Sequence, residues 1–137
     1  MAIKYDTQLI QLRALFEQVS GAETKDCFQY PDRLVIVVNA GQMGKALGKH
    51  KDNPRRLEQT LKKKVQIVEY ADTLVRFIQN LIQPLRVDEI TENNGEVVIK
   101  VKDTKTKGYI IGIRAQNLKR LQETVQQYYP ISKIKVV

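Results

Sequence analysis

The sequence predicts an α+β fold in which one small module occurs twice, and three observations predict it. The first is a repeated pattern: Gly44, Gly48, Asn53, Arg56 and Leu57 return as Gly108, Gly112, Asn117, Arg120 and Leu121, always 64 residues on. Self-similarity at a fixed offset decides architecture before any local reading does. The second is that each half runs through the same succession of hydrophobic periods: helix, strand, strand, helix, glycine loop, helix, strand. The third is length. The chain has 137 residues, and no Gly/Ser- or Pro-rich linker interrupts it, so two modules fill it at 1–70 and 71–137.

Each element has its own warrant. Leu9, Leu12, Phe16 and Val19, with Leu15 alongside, recur at steps of three and four and form one face of a helix. Asp6 or Thr7 can cap its start and Gly21 can end it. Residues 27–30 form a short strand, Pro31 and Asp32 turn the chain, and the β-branched run 34–38 is a buried strand. A brief helix over 42–47 stops at Gly48. Pro54 suits the first position of the next helix and keeps its predecessor out of helical geometry, so Asn53 is the expected N-cap of a helix over 54–63. Val65 and Ile67 then alternate with polar neighbours as a strand.

The second half repeats the order. Leu74, Phe77, Ile78, Leu81 and Ile82 make a helical stripe that ends before Pro84, and 85–91 reads as a strand. Asn94-Gly95 is a hairpin turn, and Val97, Ile99 and Val101 alternate along the returning strand. A short helix to Ile111, a loop at Gly112, a helix over 116–128 capped by Asn117, and a strand over 131–137 complete the chain. Tyr128 and Tyr129, at a helix end, are expected to pack in the core.

The formal charge is +8, and its placement says more than its size. Residues 41–64 carry eight Lys/Arg against two carboxylates, and residues 100–120 carry seven against one, so the remainder of the chain is net negative. A charge run is often plain solvated surface. Two equal clusters on the two repeated loops favour a surface that attracts polyanions. No stretch is long and apolar enough to span a bilayer, and the N-terminus lacks the layout of a signal peptide, so a cytoplasmic location is expected. Cys27 is the sole cysteine and is expected to pack in a strand. No nucleophile–base set, Walker loop, paired carboxylates, metal cluster or cofactor motif is visible, so neither an enzyme nor a small-molecule substrate is expected.

The chemistry concentrates where two helices meet. A glycine ends the first helix, and the next begins within a few residues, with its positive dipole end and unpaired N–H groups facing the gap. A phosphate is at home there. Lys49, His50 and Lys51 rim the first gap, with Lys45 and Arg55 beside it. In the second, Arg114 takes this place, flanked by Lys105, Lys107 and Lys119. His50 can stack on a base, touch a phosphate or stay solvated, and Lys62, Lys63 and Lys64 suit a helix C-terminus.

These residues in this order of elements resemble the KH domain, with its glycine-lysine-glycine-glycine loop between two helices, in the prokaryotic type II form (αββααβ). Two such domains in tandem with almost no linker are similar to the NusA family of transcription factors in its short archaeal form. The resemblance covers nearly the whole chain and is strongest over 44–57 and 108–121. It implies loops that clamp the backbone of about four single-stranded nucleotides: Gly48, Lys49, His50 and Lys51 in one, Gly112, Ile113, Arg114 and Ala115 in the other. It also implies a role in transcription elongation or termination, with single-stranded RNA and RNA polymerase as partners. Both loops depart from the family pattern. Its last glycine is Lys51 in one and Ala115 in the other, and Ile113 stands where a lysine is common, so the first loop is expected to be the stronger RNA contact. Two alternatives share the fold: an RNA-binding protein of ribosome assembly or another RNA pathway, and a protein-interaction adaptor with degenerate loops.

Overall fold

The computed structural model describes residues 7–137. Two compact units divide the chain, one over 1–71 and one over 72–137. The first contains α1 (Thr7–Ser20), β1 (Thr24–Gln29), β2 (Arg33–Val38), α2 (Met43–Leu47), α3 (Asp52–Leu61) and β3 (Lys64–Glu69). The second contains α4 (Leu74–Ile82), β4 (Glu89–Asn93), β5 (Glu96–Lys100), α5 (Thr104–Ile111), α6 (Gln116–Gln126) and β6 (Lys133–Val136). Each unit is α+β, with a mixed three-stranded sheet. β1 runs antiparallel to β2 and β2 parallel to β3, and β4, β5 and β6 repeat that arrangement.

The central strands are the apolar runs of the sequence. Leu34, Ile36 and Val38 of β2 join Leu9 and Phe16 of α1, Cys27 of β1 and Ala46 of α2 in the first core, with Leu57 and Leu61 of α3 against it. In the second unit, Val97 and Ile99 of β5 meet Ile78 and Ile82 of α4, Ile110 of α5, Leu121 and Val125 of α6 and Ile134 of β6. The Phe77 ring packs edge-on to Tyr128 at 5.3 Å and tilted to Tyr129 at 6.2 Å, so these tyrosines serve packing. Asn94 and Gly95 both sit at positive φ (52° and 82°), as a two-residue hairpin turn requires.

The structure corrects several local expectations. Among the described side chains of α1 only Leu9 and Phe16 are fully buried; Val19 is 56% exposed and Leu15 is exposed too. Asp6 and the side chain of Thr7, the expected caps, lie outside the described residues. The strand expected over 85–91 is β4, shifted towards the hairpin. Leu85 N–H donates to Ile82 O (2.9 Å) in a turn, and ladder-like bonding begins only at Asp88, which donates to Lys100 O (2.9 Å). Leu85 and Val87 are apolar because they pack on the core from this irregular stretch.

Candidate nucleic-acid interface

The two repeated junctions have the same backbone, residue for residue. α2 ends at Gly48, whose N–H donates to Gly44 O (3.0 Å), and α5 ends at Gly112, whose N–H donates to Gly108 O (2.8 Å). Gly48 has φ 74° and ψ −174°, and Gly112 has φ 75° and ψ 177°. Only glycine is at ease in that region. One 3₁₀ turn follows in each case, Lys49–Lys51 and Ile113–Ala115, and leads straight into α3 or α6. His50 and Lys51 (φ 57° and 58°) and Arg114 and Ala115 (φ 55° and 59°) are all left-handed.

The asparagines do something other than cap. The N-cap positions are Lys51 and Ala115, neither with a side-chain bond, and Asn53 and Asn117 lie within the first turn of α3 and α6. Each side chain instead reaches back across the junction. Asn53 Nδ2 donates to Lys45 O (3.3 Å) and Asn117 Nδ2 to Tyr109 O (3.0 Å), carbonyls in the last turn of the preceding helix that would otherwise lack a partner. This strap lies against the glycine. A Cβ on Gly48 would stand 2.6 Å from Asn53 Nδ2, and one on Gly112 would stand 2.7 Å from Asn117 Cγ and Nδ2. Glycine is thus required twice over, by its dihedral angles and by the strap. The spacing from glycine to asparagine, repeated in both halves, was the signal in the sequence.

The turns also use some of the amides expected to meet a phosphate. Lys51 N–H donates to Gly48 O and Ala115 N–H to Gly112 O, both at 3.2 Å. Asp52 N–H donates to Lys49 O, and Gln116 N–H to Ile113 O. What these junctions offer an anion is therefore mainly side-chain cations and the positive ends of α3 and α6.

Those cations are gathered at the first junction. Lys45, Lys49, His50, Lys51 and Arg55 are all exposed on or beside it. At the second, Arg114 and Lys119 are exposed and Lys107 is half-buried, while Ile113 is 84% exposed and Ala115 half-buried. Tyr109, the repeat counterpart of Lys45, is 56% exposed. The sequence reading gave Tyr109 no role, although pairing the two copies position by position marks it. Ahead of this junction, the Asp103 carboxylate caps α5, accepting from Thr106 N–H (3.1 Å) and Thr106 Oγ1 (2.6 Å). These bonds, the hydroxyl's foremost, hold its pKa below the ordinary value.

Elsewhere, Cys27 is fully buried, and burial pushes its thiol up to about 12, although the Arg13 charge pulls the other way. Among the described residues no cluster of His, Cys, Asp or Glu could hold a metal ion, and no helix is long and apolar enough to cross a membrane.

Two α+β units, each presenting a glycine-kinked helix junction edged with cations, define a tandem-module protein whose repeated feature faces solvent. No protein-family model matches the chain. Its whole length is nonetheless similar to archaeal proteins named "Probable transcription termination protein NusA". That of Halobacterium salinarum is 31% identical over 99% of this chain and 99% of its own. That of Methanocaldococcus jannaschii is 29% identical over 98% of this chain and 75% of its own. Among solved structures, the crystal structure of APE1850 superposes with a TM-score of 0.74 at 26% identity, covering 97% of this chain and 100% of that one. The chain belongs to the NusA family.

Proposed function

We propose that this protein is a transcription factor that captures single-stranded RNA through two fused type II KH domains and acts with RNA polymerase in elongation or termination. It is a binding factor in this reading, with no catalytic step and no cofactor. Gly48 and Gly112 set the backbone of the helix junctions that the strand would meet. Lys49, His50 and Lys51, with Lys45 and Arg55, supply the cationic clamp of the first domain. At the second junction Arg114, with Lys107 and Lys119, supplies the cations, and Ile113 and Ala115 complete the turn. One observation carries the reading: the same glycine-strapped junction, facing solvent amid positive charge, is built twice in a chain of the NusA family. Because one chain carries both junctions, capture at one makes capture at the other intramolecular, which raises affinity without new contacts.

The test is a titration of a short single-stranded RNA, against duplex DNA of equal length, at two salt concentrations. For about five phosphate contacts on a single strand, the slope of log K against log salt is expected near −3.5. A flat response would count against RNA capture. Replacing both Lys49 and Lys51 with Ala is expected to weaken the complex about tenfold or more, as the loss of two phosphate contacts should. Unchanged affinity would favour the adaptor reading, which the left-handed Lys51 and Ala115 in place of glycine motivate. Co-purification of polymerase subunits, rather than ribosomal particles, tests the assignment to transcription.

A further inference from the structure

We infer that the second junction is a base-contacting platform: Tyr109 and Ile113 receive an unstacked nucleobase of a bound single strand. The inference rests on the RNA-binding reading and deepens it. With the backbone the same in both copies, the chemistry at equivalent positions can be compared directly. Lys45 becomes Tyr109, Lys49 becomes Ile113, His50 becomes Arg114 and Lys51 becomes Ala115. Positions that carry charge in one copy carry an aromatic and an aliphatic side chain in the other, both held in water.

Folding does not account for these side chains. Ile113 is 84% exposed and Tyr109 56% exposed, and neither belongs to the second core. The strap uses only the backbone carbonyl of Tyr109, which any residue supplies. Beside Tyr109, the surface is open at Gly108: a Cβ there would meet nothing within 4 Å, although glycine inside a helix is destabilising relative to alanine. The α5 backbone at Gly108 is therefore uncovered.

Charge selects the occupant. Lys102, Lys105, Lys107, Arg114 and Lys119 lie within ten residues of the pair along the chain, and the one carboxylate in residues 100–120, Asp103, is engaged in its cap. A single-stranded nucleic acid brings a π face and negative charge in one ligand, and base–aromatic stacking tolerates any base. The first junction, all cations, then takes backbone, and the second takes a base.

The test compares fluorescence-anisotropy titrations of the full chain with a 12-nucleotide single-stranded RNA and with the same strand carrying abasic residues. Tyr109→Ala is expected to weaken the base-bearing complex about tenfold, the size of one lost stacking contact, and Ile113→Ala, which removes only an aliphatic contact, to weaken it by less. Neither should alter binding of the abasic strand or the salt slope. Ile113→Lys, at a position too exposed to unfold the unit, should tighten the abasic complex and steepen its slope by about 0.7, as one added phosphate contact does. Variants that weaken both strands equally, or neither, overturn the inference and leave the pair as a protein-facing patch. A wild-type chain that binds neither strand overturns the RNA-binding reading instead.

Discussion

Gly112→Ala tests whether the junction's backbone is held as the structure describes. The new Cβ would force an L residue into a region essentially reserved for glycine, at about 1–3 kcal/mol. It would also stand 2.7 Å from Asn117 Cγ and Nδ2, so the asparagine must leave and forfeit its 3.0 Å bond to Tyr109 O. That adds about 1 kcal/mol. The lower entropy of the unfolded alanine chain returns roughly 0.4–1 kcal/mol. The net cost is then about 1–3.5 kcal/mol, a large share of what a unit of this size has to lose. Urea denaturation of the full chain followed by circular dichroism measures it, with an unchanged m-value showing that stability alone has moved. The double-mutant cycle sharpens the test. Asn117→Ala alone should cost about 1 kcal/mol, and the pair should cost less than the sum by about the same amount, since the strap can be lost only once. A Gly112→Ala protein within about 0.5 kcal/mol of wild type, the usual spread for substitutions that touch no special feature, would refute the argument. So would strict additivity of the two changes.

Four further outcomes follow from the same geometry. Ala115→Gly should relieve a left-handed alanine; with about 1–2 kcal/mol of strain removed and part returned to chain entropy, the melting temperature should rise by about 3–5 °C. Gly44→Ala should stabilise α2 by about 1 kcal/mol in the same denaturation assay, since a Cβ there meets nothing, and should weaken RNA binding if the strand lies close to that backbone. Asp103 has its pKa depressed in the folded chain, so its contribution to stability is complete above the ordinary Asp value of 3.8 and is lost as pH falls through the depressed one. An acid titration should show that loss, and Asp103→Asn should remove it. Cys27, buried and with its thiol near 12, should resist a thiol reagent in the native protein and react as the first unit opens. Gly48→Ala, which clashes with Asn53, should speed that labelling.

The repeat and the order of elements were legible because they are written in hydrophobic period and glycine placement, both local signals. The glycine exits were legible for the same reason. Asn53 was misread because an asparagine before a proline is an N-cap by local rules, while its bond to Lys45 O spans eight residues and depends on the turn between. Leu85 and Val87 were misread because burial makes a residue apolar whether or not it sits in a strand. At the junctions the sequence showed which cations were present, but not that the 3₁₀ turns engage the amides of Lys51 and Ala115, because those bonds depend on left-handed dihedrals at non-glycine residues.

Those left-handed residues bear on how the two halves divide their work. The shape of each junction is fixed by the glycine, the strap and the core residue beneath it, Ala46 in one copy and Ile110 in the other. None of these supplies side-chain charge. The exposed positions around each junction lie outside the cores, so their chemistry is free to differ: three lysines and a histidine in one copy, and a tyrosine, an isoleucine and an arginine in the other. The final position of each turn is different again. A glycine there would remove about 1–2 kcal/mol of left-handed strain, and both copies forgo it. At Lys51 the strain accompanies a cation set at the start of α3, where it adds to the field an anion meets. At Ala115 no charge is gained, and the half-buried methyl adds apolar surface to the junction that already exposes Tyr109 and Ile113. The same backbone strain is thus tolerated for opposite chemistry, as the proposed split between a phosphate-holding and a base-holding loop would require.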